Sequence, residues 1–345
     1  MGGTTTPPGP VGGRPPLRAG LATSIGSLPH TDAAAAVRAV LSAHRALPAA
    51  PQLPARSPAE GMLAQAAVGI AGVTVGADGS LRVDPSALDP DAPVAAGVDG
   101  EAYGGLRAFL GAVSGRRDGL KLQLTGPVTL GLALLRAGAP RRVAFAVAGR
   151  AVAAHARALL DAATAAAPAA PLVVFLDEPG LVAARRADFP LAPDDAVDLL
   201  SGALAVVEPH ATTGVHCCGP TDWRLATQAG PAVLSMPADG SAVDAAGAIG
   251  TFVEDGGWVA WGAVPTTGPV GGDADPLWRR LTDLWSDLVR AGCDPVLLRT
   301  RALVTPACGV AGHGVSQAER VLRLAAELAD RARDQAVGAR LSAGA

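Results

Sequence analysis

Short runs of apolar, β-branched residues alternate along this chain with longer stretches in which apolar residues recur at helical spacing. Helical stretches follow most of the apolar runs. This alternation is typical of α/β proteins whose parallel strands are connected by helices. The predicted strands are 21–25, a weaker one at 50–53, 121–125, 172–177, 213–217, 232–236, 258–262 and 302–306.

Eight strands that alternate with helices predict a closed parallel (β/α)8 barrel of the TIM type. The alternative is an open, doubly wound sheet. Its nucleotide-binding form is disfavoured, because no Gly-x-Gly-x-x-Gly motif follows the first strand and the Gly/Pro-rich loops after 262 and 308 lack a phosphate-binding lysine. Polar residues also collect where the predicted strands end, and barrel enzymes build their sites at that C-terminal rim.

One short stretch departs from the strand–helix alternation. Residues 72–83 predict a small β-hairpin insertion, because Asp78 and Gly79 stand between two alternating runs. Residues 1–18 are rich in Pro, Gly and Thr and predict a flexible leader. No internal repeat or linker divides the rest, so we interpret residues 19–340 as a single catalytic barrel domain.

The composition narrows the classes of partner. The chain has 345 residues, is 49% hydrophobic and carries a net charge of −3, so we expect neither a nucleic-acid partner nor a membrane surface. No long apolar segment opens it, and we expect no signal peptide and no transmembrane helix. Four sparse cysteines do not make a disulfide framework, which indicates a reducing, cytoplasmic location.

The stretch TTGVHCCGP (212–220) places a histidine and two cysteines directly after a β-branched run. Side chains alternate faces along a strand, so His216 and Cys218 point the same way and Cys217 points the other way. Imidazole nitrogen and thiolate sulfur are ligands that zinc favours. Cys308, at the end of the last predicted strand, is the expected third ligand. Three protein ligands and one open position are typical of a catalytic zinc site.

Several motifs resemble the C-terminal, catalytic half of cobalamin-independent methionine synthase, in the superfamily of uroporphyrinogen decarboxylase-like barrels. They occur in the family's order. The motifs that carry the resemblance are ATSIGSLPHT (22–31), KLQLTGPVTL (121–130), FLDEPGL (175–181), GVHCC (214–218) and TPACG (305–309). The resemblance implies a zinc enzyme that activates the thiol of homocysteine for methylation to methionine.

The resemblance also implies roles for single residues. His216, Cys218 and Cys308 match the soft zinc ligands of the family. The turn from Ile25 to Ser27 matches the residues that hold the amino acid's carboxylate. Asp177 matches the carboxylate that receives its amino group and so fixes the geometry of attack. Glu60 is a looser match, as a second acidic contact with the substrate.

The departures from the family's pattern concern the fourth zinc ligand and the folate. Pro237 stands where the family has a zinc-binding Glu, and Asp239, His313 or water are the alternatives for that ligand. Small residues near Ala133 and Ala183 replace a Trp and a Glu that serve the folate. These departures favour a methyl donor other than a folate polyglutamate, such as a corrinoid or a carrier protein, and a folate stays open as the alternative.

Two other functions stay open from the sequence. One is a degenerate barrel that binds a metal or an amino acid without turnover, since the Glu and a His of the family are missing. The other is a lyase of the porphyrinogen decarboxylase type, which needs no zinc but needs an acidic residue and several arginines for its carboxylated substrate.

Overall fold

The computed structural model describes residues 17–343, so residues 1–16 of the predicted leader lie outside the described part of the chain. Strands and helices alternate through most of it. The strands are β1 (Leu21–Ala22), β2 (Val73–Val75), β3 (Leu81–Val83), β4 (Leu120–Thr125), β5 (Leu172–Asp177), β6 (Thr212–His216), β7 (Val233–Pro237), β8 (Trp258–Val264) and β9 (Ala302–Pro306).

Eleven α-helices connect or cover these strands in the described residues. Short 3₁₀ turns at Pro58–Glu60, Glu101–Tyr103, Pro179–Arg185 and Gly240–Ala245 complete the connections. The helices are α1 (Ala33–Ala43), α2 (Met62–Ala66), α3 (Gly104–Ala112), α4 (Pro127–Arg136), α5 (Arg141–Ala166), α6 (Pro193–Val207), α7 (Trp223–Gln228), α8 (Ala246–Glu254), α9 (Asp275–Arg290), α10 (Pro295–Thr300) and α11 (Val315–Ala343).

Seven of the strands form one curled parallel sheet in the order β1-β9-β8-β7-β6-β5-β4. The predicted α/β class, the parallel strands and the alternation with helices are thus confirmed. β2 and β3 pair antiparallel, with Val73 opposite Val83, as the Asp-Gly turn predicts. The hairpin is separate from the main sheet.

The predicted eighth strand, 50–53, does not form a regular strand. It contributes isolated bridges, Ala49 to Lys121 of β4 on one side and Gln52 to Ser27 on the other. We call residues 48–53 the bridging segment. Its sequence contains Pro48 and Pro51, which have no N–H to donate, so a continuous ladder cannot form there. A closed barrel of eight regular strands is therefore not confirmed.

A small apolar cluster fills the concave side of the sheet. All members except Leu47 come from alternate positions of the strands, as the two-residue period requires, and Leu47 lies between α1 and the bridging segment. The members are Leu47, Val173, Phe175, Val233, Ala260 and Leu303. Gly214 of β6 lies against the Phe175 ring, and a Cβ atom at that position would overlap it. The larger core lies between the sheet and the surrounding helices.

Helix α5 is, among the described residues, the one helix long and apolar enough to cross a membrane by length and composition. Its most apolar window has a mean hydropathy of 1.4, and 56% of that window is buried inside the protein. The helix packs against α4 and α6. More than half of this window is therefore covered by the rest of the protein.

Candidate metal and substrate site

The parallel register aligns the C-terminal ends of four neighbouring strands. Thr125 of β4 is opposite Asp177 of β5, Asp177 is opposite His216 of β6, and His216 is opposite Ser235 of β7. Residues in register across parallel strands point to the same face of the sheet. A hydroxyl, a carboxylate, an imidazole and a second hydroxyl therefore stand in one row at the rim.

His216 is held in one orientation by its neighbour in this row. The imidazole is buried, and its Nδ1 lies 2.9 Å from the Oγ of Ser235, which is also fully buried. A hydrogen bond to one ring nitrogen fixes the tautomer and the ring plane of a metal-binding histidine. Nε2 is the nitrogen that remains for a metal.

Cys218 and Cys308 complete a group that fits a zinc ion. The ligand atoms of His216, Cys218 and Cys308 all lie within 4.8 Å of one another, and no other group of this kind occurs in residues 17–343. Zinc binds sulfur at about 2.3 Å and histidine nitrogen at about 2.0–2.1 Å, so one ion can reach all three atoms. The side chains predicted from two distant segments of the sequence are thus brought together.

The two thiols of this group also contact each other. A hydrogen bond from Cys308 lowers the pKa of Cys218 below its ordinary value, and the same contact raises the pKa of Cys308. Cys217 differs from both, because it is buried in the core and burial raises its pKa to about 12. The adjacent cysteines therefore have different environments, as the alternation of side chains predicts.

Asp177 has an unused hydrogen-bonding atom at the rim. The residue is 5% exposed, and its Oδ1 is buried without a hydrogen-bond partner. Burial raises the pKa of Asp177, while the charges of Lys121 and His216 oppose that shift. A buried carboxylate oxygen without a donor is costly, so an ammonium group from a ligand would satisfy it.

The Ile25–Ser27 turn lies beside the metal group. A Cβ atom placed on Gly309, the residue after Cys308, would be 2.9 Å from the Cβ of Ser27. Lys121 donates a hydrogen bond of 2.6 Å to the carbonyl of Ile25, and the hydroxyl of Ser27 donates to Oε1 of Gln52 at 3.2 Å. The turn is therefore anchored from below by side chains of β4 and of the bridging segment.

Glu60 is fully buried and has partners within the protein. Its Oε1 is 2.5 Å from Nη1 of Arg56, and its Oε2 accepts a hydrogen bond of 3.1 Å from the backbone N–H of Gly105. These contacts tie the turn at Pro58–Glu60 to the start of α3. The predicted contact of Glu60 with substrate remains a prediction.

The two side chains considered as a fourth zinc ligand also have partners. Oδ1 of Asp239 accepts hydrogen bonds from the backbone N–H and the hydroxyl of Ser241, at 2.9 and 2.5 Å. Nε2 of His313 is 2.9 Å from the carbonyl of Thr266. Pro237, at the end of β7, has no group that could bind a metal. Within residues 17–343, no fourth His, Cys, Asp or Glu joins the group of His216, Cys218 and Cys308.

An open cleft of about 660 Å³ adjoins the two cysteines of the metal group. It runs between the loops that follow β7 and β8 and helix α9. Its lining includes Cys218 and Cys308, the apolar side chains of Leu281 and Leu284, and the exposed Arg280. A second molecule could approach the cysteines along this cleft.

The sequence pattern does not indicate a role for Lys121, although it is the only lysine in the chain. It is fully buried under the site, where Nζ donates to Ile25 and to Oε1 of Gln123 and lies 4.8 Å from the centre of the Phe175 ring. Burial lowers its pKa to about 8, although the charge of Asp177 opposes the shift. Lys121, Gln123 and Thr125 follow one another at two-residue intervals, and this spacing indicates that they share one face of β4.

Glu178 lies within the motif FLDEPGL, but the sequence does not indicate its role. Its buried carboxylate accepts hydrogen bonds from the backbone N–H groups of Val128 and Thr129, at 2.9 and 2.7 Å, and from the Thr129 hydroxyl at 2.6 Å. It therefore binds the first turn of α4, where unpaired N–H groups favour an anion. Burial raises the pKa of Glu178 to about 7, and these hydrogen bonds act against the rise.

Comparison with known proteins adds support at the level of the fold. No protein-family profile and no curated protein matches the chain. Solved structures do match it. One is the structure titled "Putative Vitamin-B12 Independent Methionine Synthase" from Listeria monocytogenes, with a TM-score of 0.55 and 13% sequence identity, covering 87% of this chain and 86% of that one. The two proteins share a fold. At this identity the likeness concerns the fold alone.

Proposed function

We propose that this protein is a zinc-dependent methyltransferase that methylates the sulfur of a small thiol, homocysteine, to give methionine. The observation that carries the proposal is the convergence of one imidazole nitrogen and two cysteine sulfurs within 4.8 Å at the rim of the sheet. The similarity in fold to a protein titled as a methionine synthase supports it at a coarser level.

In this proposal, each residue around the metal group has a separate role. A bound zinc ion would stabilise the thiolate form of an incoming thiol, which has a pKa of about 8.5 when free. Ser235 holds the His216 ring so that Nε2 faces the ion. Oδ1 of Asp177 binds the substrate's ammonium group, and the Ile25–Ser27 turn meets the amino-acid end of the substrate. These contacts fix the sulfur's position before methyl transfer.

The proposed methyl donor is a corrinoid or a protein-bound methyl carrier rather than a folate polyglutamate. The cleft that is lined in part by Cys218 and Cys308 offers such a donor a route to the substrate sulfur. Since all four cysteines are free thiols, the protein suits a reducing compartment, and we propose a cytoplasmic location. Neither nucleic acid nor a membrane takes part in this proposal.

The first test is the zinc content of the wild type beside Cys308→Ser. We expect about one zinc per chain in the wild type and a loss of at least about 10-fold in affinity in the variant, because a weaker ligand replaces the thiolate. Cys293→Ser is the matched control, since the Cys293 thiol is buried against the carbonyl of Ala246, away from the group. Equal zinc contents in all three proteins would contradict the proposed site.

The second test is methyl transfer to homocysteine by the zinc-loaded protein. We expect methionine to form faster from methylcobalamin than from methyltetrahydrofolate. Faster transfer from the folate would overturn the proposed donor but not the thiol chemistry. Bound zinc and bound homocysteine without any product would favour the degenerate binder, and a zinc-free protein that decarboxylates porphyrinogens would favour the lyase.

A further inference from the structure

The loop between β8 and α9 forms one side of the open cleft beside the metal group. We call residues 265–273 the cleft loop, and its Thr266 and Thr267 line the cleft. Within the part of the chain that the structure describes, no backbone–backbone hydrogen bond joins the cleft loop to itself or to the rest of the protein. Side chains alone therefore hold this loop in place.

Three side chains from the start of α11 and the turn before it bind the cleft loop. Nε2 of His313 lies 2.9 Å from the carbonyl oxygen of Thr266. A carbonyl can only accept, so His313 is the donor. Nε2 of Gln317 and Nη1 of Arg320 donate to the carbonyl oxygen of Val270 at 3.4 and 3.2 Å. We call His313, Gln317 and Arg320 the latch.

One apolar side chain is the other attachment of the cleft loop. Val270 is 7% exposed and belongs to the larger core. The residues on both sides of it, 267–269 and 271–273, are exposed. The loop is thus attached at two carbonyl groups and one buried side chain, whereas β8 before it and α9 after it have regular backbone hydrogen bonds.

Glycines flank the buried Val270 on both sides. Gly268 has a φ of 80°, in the region that favours glycine. Gly271 and Gly272 follow Val270, and a Cβ atom on either would meet nothing within 4 Å. Loops that move over a site need a few residues that absorb changes in backbone angles. These three glycines can do so without a clash.

We propose that the cleft loop is a lid, which the latch holds in place and which swings away about its glycines when a second molecule enters or leaves the cleft. The attachments are few and the latch is only partly buried, so the released lid is a minor state of the free protein. The identity of the entering molecule as a methyl donor rests on the proposed function. The lid itself does not, because it follows from the attachments of the loop.

The latch is tested by proteolysis of the native, full-length protein with proteinase K. Mass spectrometry measures the rate of cleavage within residues 265–273, which follows the population of the released lid when the lid closes faster than the protease cuts. We expect His313→Leu, and separately the double variant Gln317→Met/Arg320→Met, to raise this rate by about 10-fold, because the released state no longer gives up those hydrogen bonds.

Two variants and one internal reference serve as controls. His313→Gln keeps a donor and should cleave within about twofold of the wild type. Arg323→Met removes an arginine that lies further along α11 and pairs with Glu327, so the rate should not change. Cleavage at the exposed residues 84–87 in the same digests should stay constant, which separates release of the lid from a general loss of stability.

The cover over the cleft is tested by labelling thiols in the zinc-free protein with maleimides of two sizes. Cys218 and Cys308 are partly exposed in the cleft, whereas Cys217 and Cys293 are buried. We expect the latch variants to speed the reaction of Cys218 and Cys308 with a maleimide coupled to polyethylene glycol by about 5-fold or more. The reaction with N-ethylmaleimide should stay within about twofold, since the small reagent fits the cleft as it is.

A stiffer lid should have the opposite effect. Gly271→Ala/Gly272→Ala should slow the reaction with the bulky maleimide by about fourfold, because alanine restricts the released loop more than the latched one. Gly202→Ala on α6 is the matched control, since a Cβ atom there also meets nothing within 4 Å. Its labelling rates should equal those of the wild type.

Equal cleavage rates in the wild type and both latch variants would overturn the latch. Faster cleavage without faster labelling by the bulky maleimide would show a mobile loop that does not cover the cleft, and would overturn the lid. Neither measurement uses zinc, homocysteine or a methyl donor. A failure of the proposed function would therefore leave the test of the lid intact.

Discussion

The metal half and the substrate half of the rim are built in different ways. The metal half relies on a regular ladder, because the register of β5, β6 and β7 sets Asp177, His216 and Ser235 side by side. The substrate half has no such ladder. There the bridging segment is joined by isolated bridges, and the side chains of Lys121, Gln52 and Gln123 tie it and the Ile25–Ser27 turn together. Backbone regularity thus positions one half, and buried side-chain hydrogen bonds position the other.

Glu178→Ala should give the largest loss of stability. It tests how far the metal half depends on one side chain. The change leaves two backbone N–H groups of α4 and the Thr129 hydroxyl without their acceptor and opens a cavity. We expect a loss of about 3–5 kcal/mol in the free energy of unfolding, measured with urea. Glu178→Gln keeps the volume and serves as the control, with a smaller loss. Equal losses in both variants would show that the cavity is unimportant.

Lys121→Met should come next, and it tests the substrate half. The variant removes the donor to Ile25 and Gln123 and the cation beside Asp177, for which we expect a loss of about 2–4 kcal/mol. Zinc affinity should not change, because Lys121 does not contact the metal group. A clear loss of zinc would mean that the two halves are not independent.

The same variant has a pH dependence with a definite sign. The pKa of Lys121 falls from 10.5 to about 8 in the folded protein, so between these values the unfolded chain binds more protons. Lys121 therefore stabilises the fold more as pH rises through that window. The difference in unfolding free energy between wild type and Lys121→Met should grow from pH 7.5 to pH 9.5. Arg323→Met, on the distant helix α11, is the control and should show no such growth.

Ser235→Ala should have the smallest effect on stability and a selective effect on the metal. It removes the partner of Nδ1 of His216 and leaves the three ligands in place. We expect zinc affinity to fall by about 10- to 100-fold in a competition assay with a chelator. Thr305→Val is the matched control, because Thr305 is also fully buried on a strand but its hydroxyl has no hydrogen-bond partner. Equal affinities for Ser235→Ala and the control would contradict the role of Ser235.

The metal half could be predicted from the sequence because the sequence patterns that mark it are local. Apolar runs mark the strands, the two-residue period separates His216 and Cys218 from Cys217, and parallel strands bring Cys308 to the same rim. The fold comparison and the group of three ligands agree with these predictions. The only non-local assumption was that the late cysteine meets the early pair.

The substrate half was harder to predict for physical reasons. Prolines interrupt residues 48–53, so hydrophobic periodicity gave only a weak strand there and could not show that isolated bridges replace a ladder. The contacts of Gln52 with Gln65 and of Gln65 with Ala102 join residues 13 and 37 positions apart, and nothing in the local sequence marks them. Glutamine also has no strong preference for buried positions, so composition alone does not point to it.

The pair of Gly214 and Phe175 has a consequence for reading related sequences. The Phe175 ring occupies the space that a side chain on Gly214 would need, at the centre of the sheet's concave face. The total volume of the two side chains is therefore constrained, although the residue type at each position can vary. In a relative with this interior, a larger residue at the position of Gly214 should coincide with a smaller residue at the position of Phe175. Such a correlated substitution would identify β5 and β6 as neighbours without a structure.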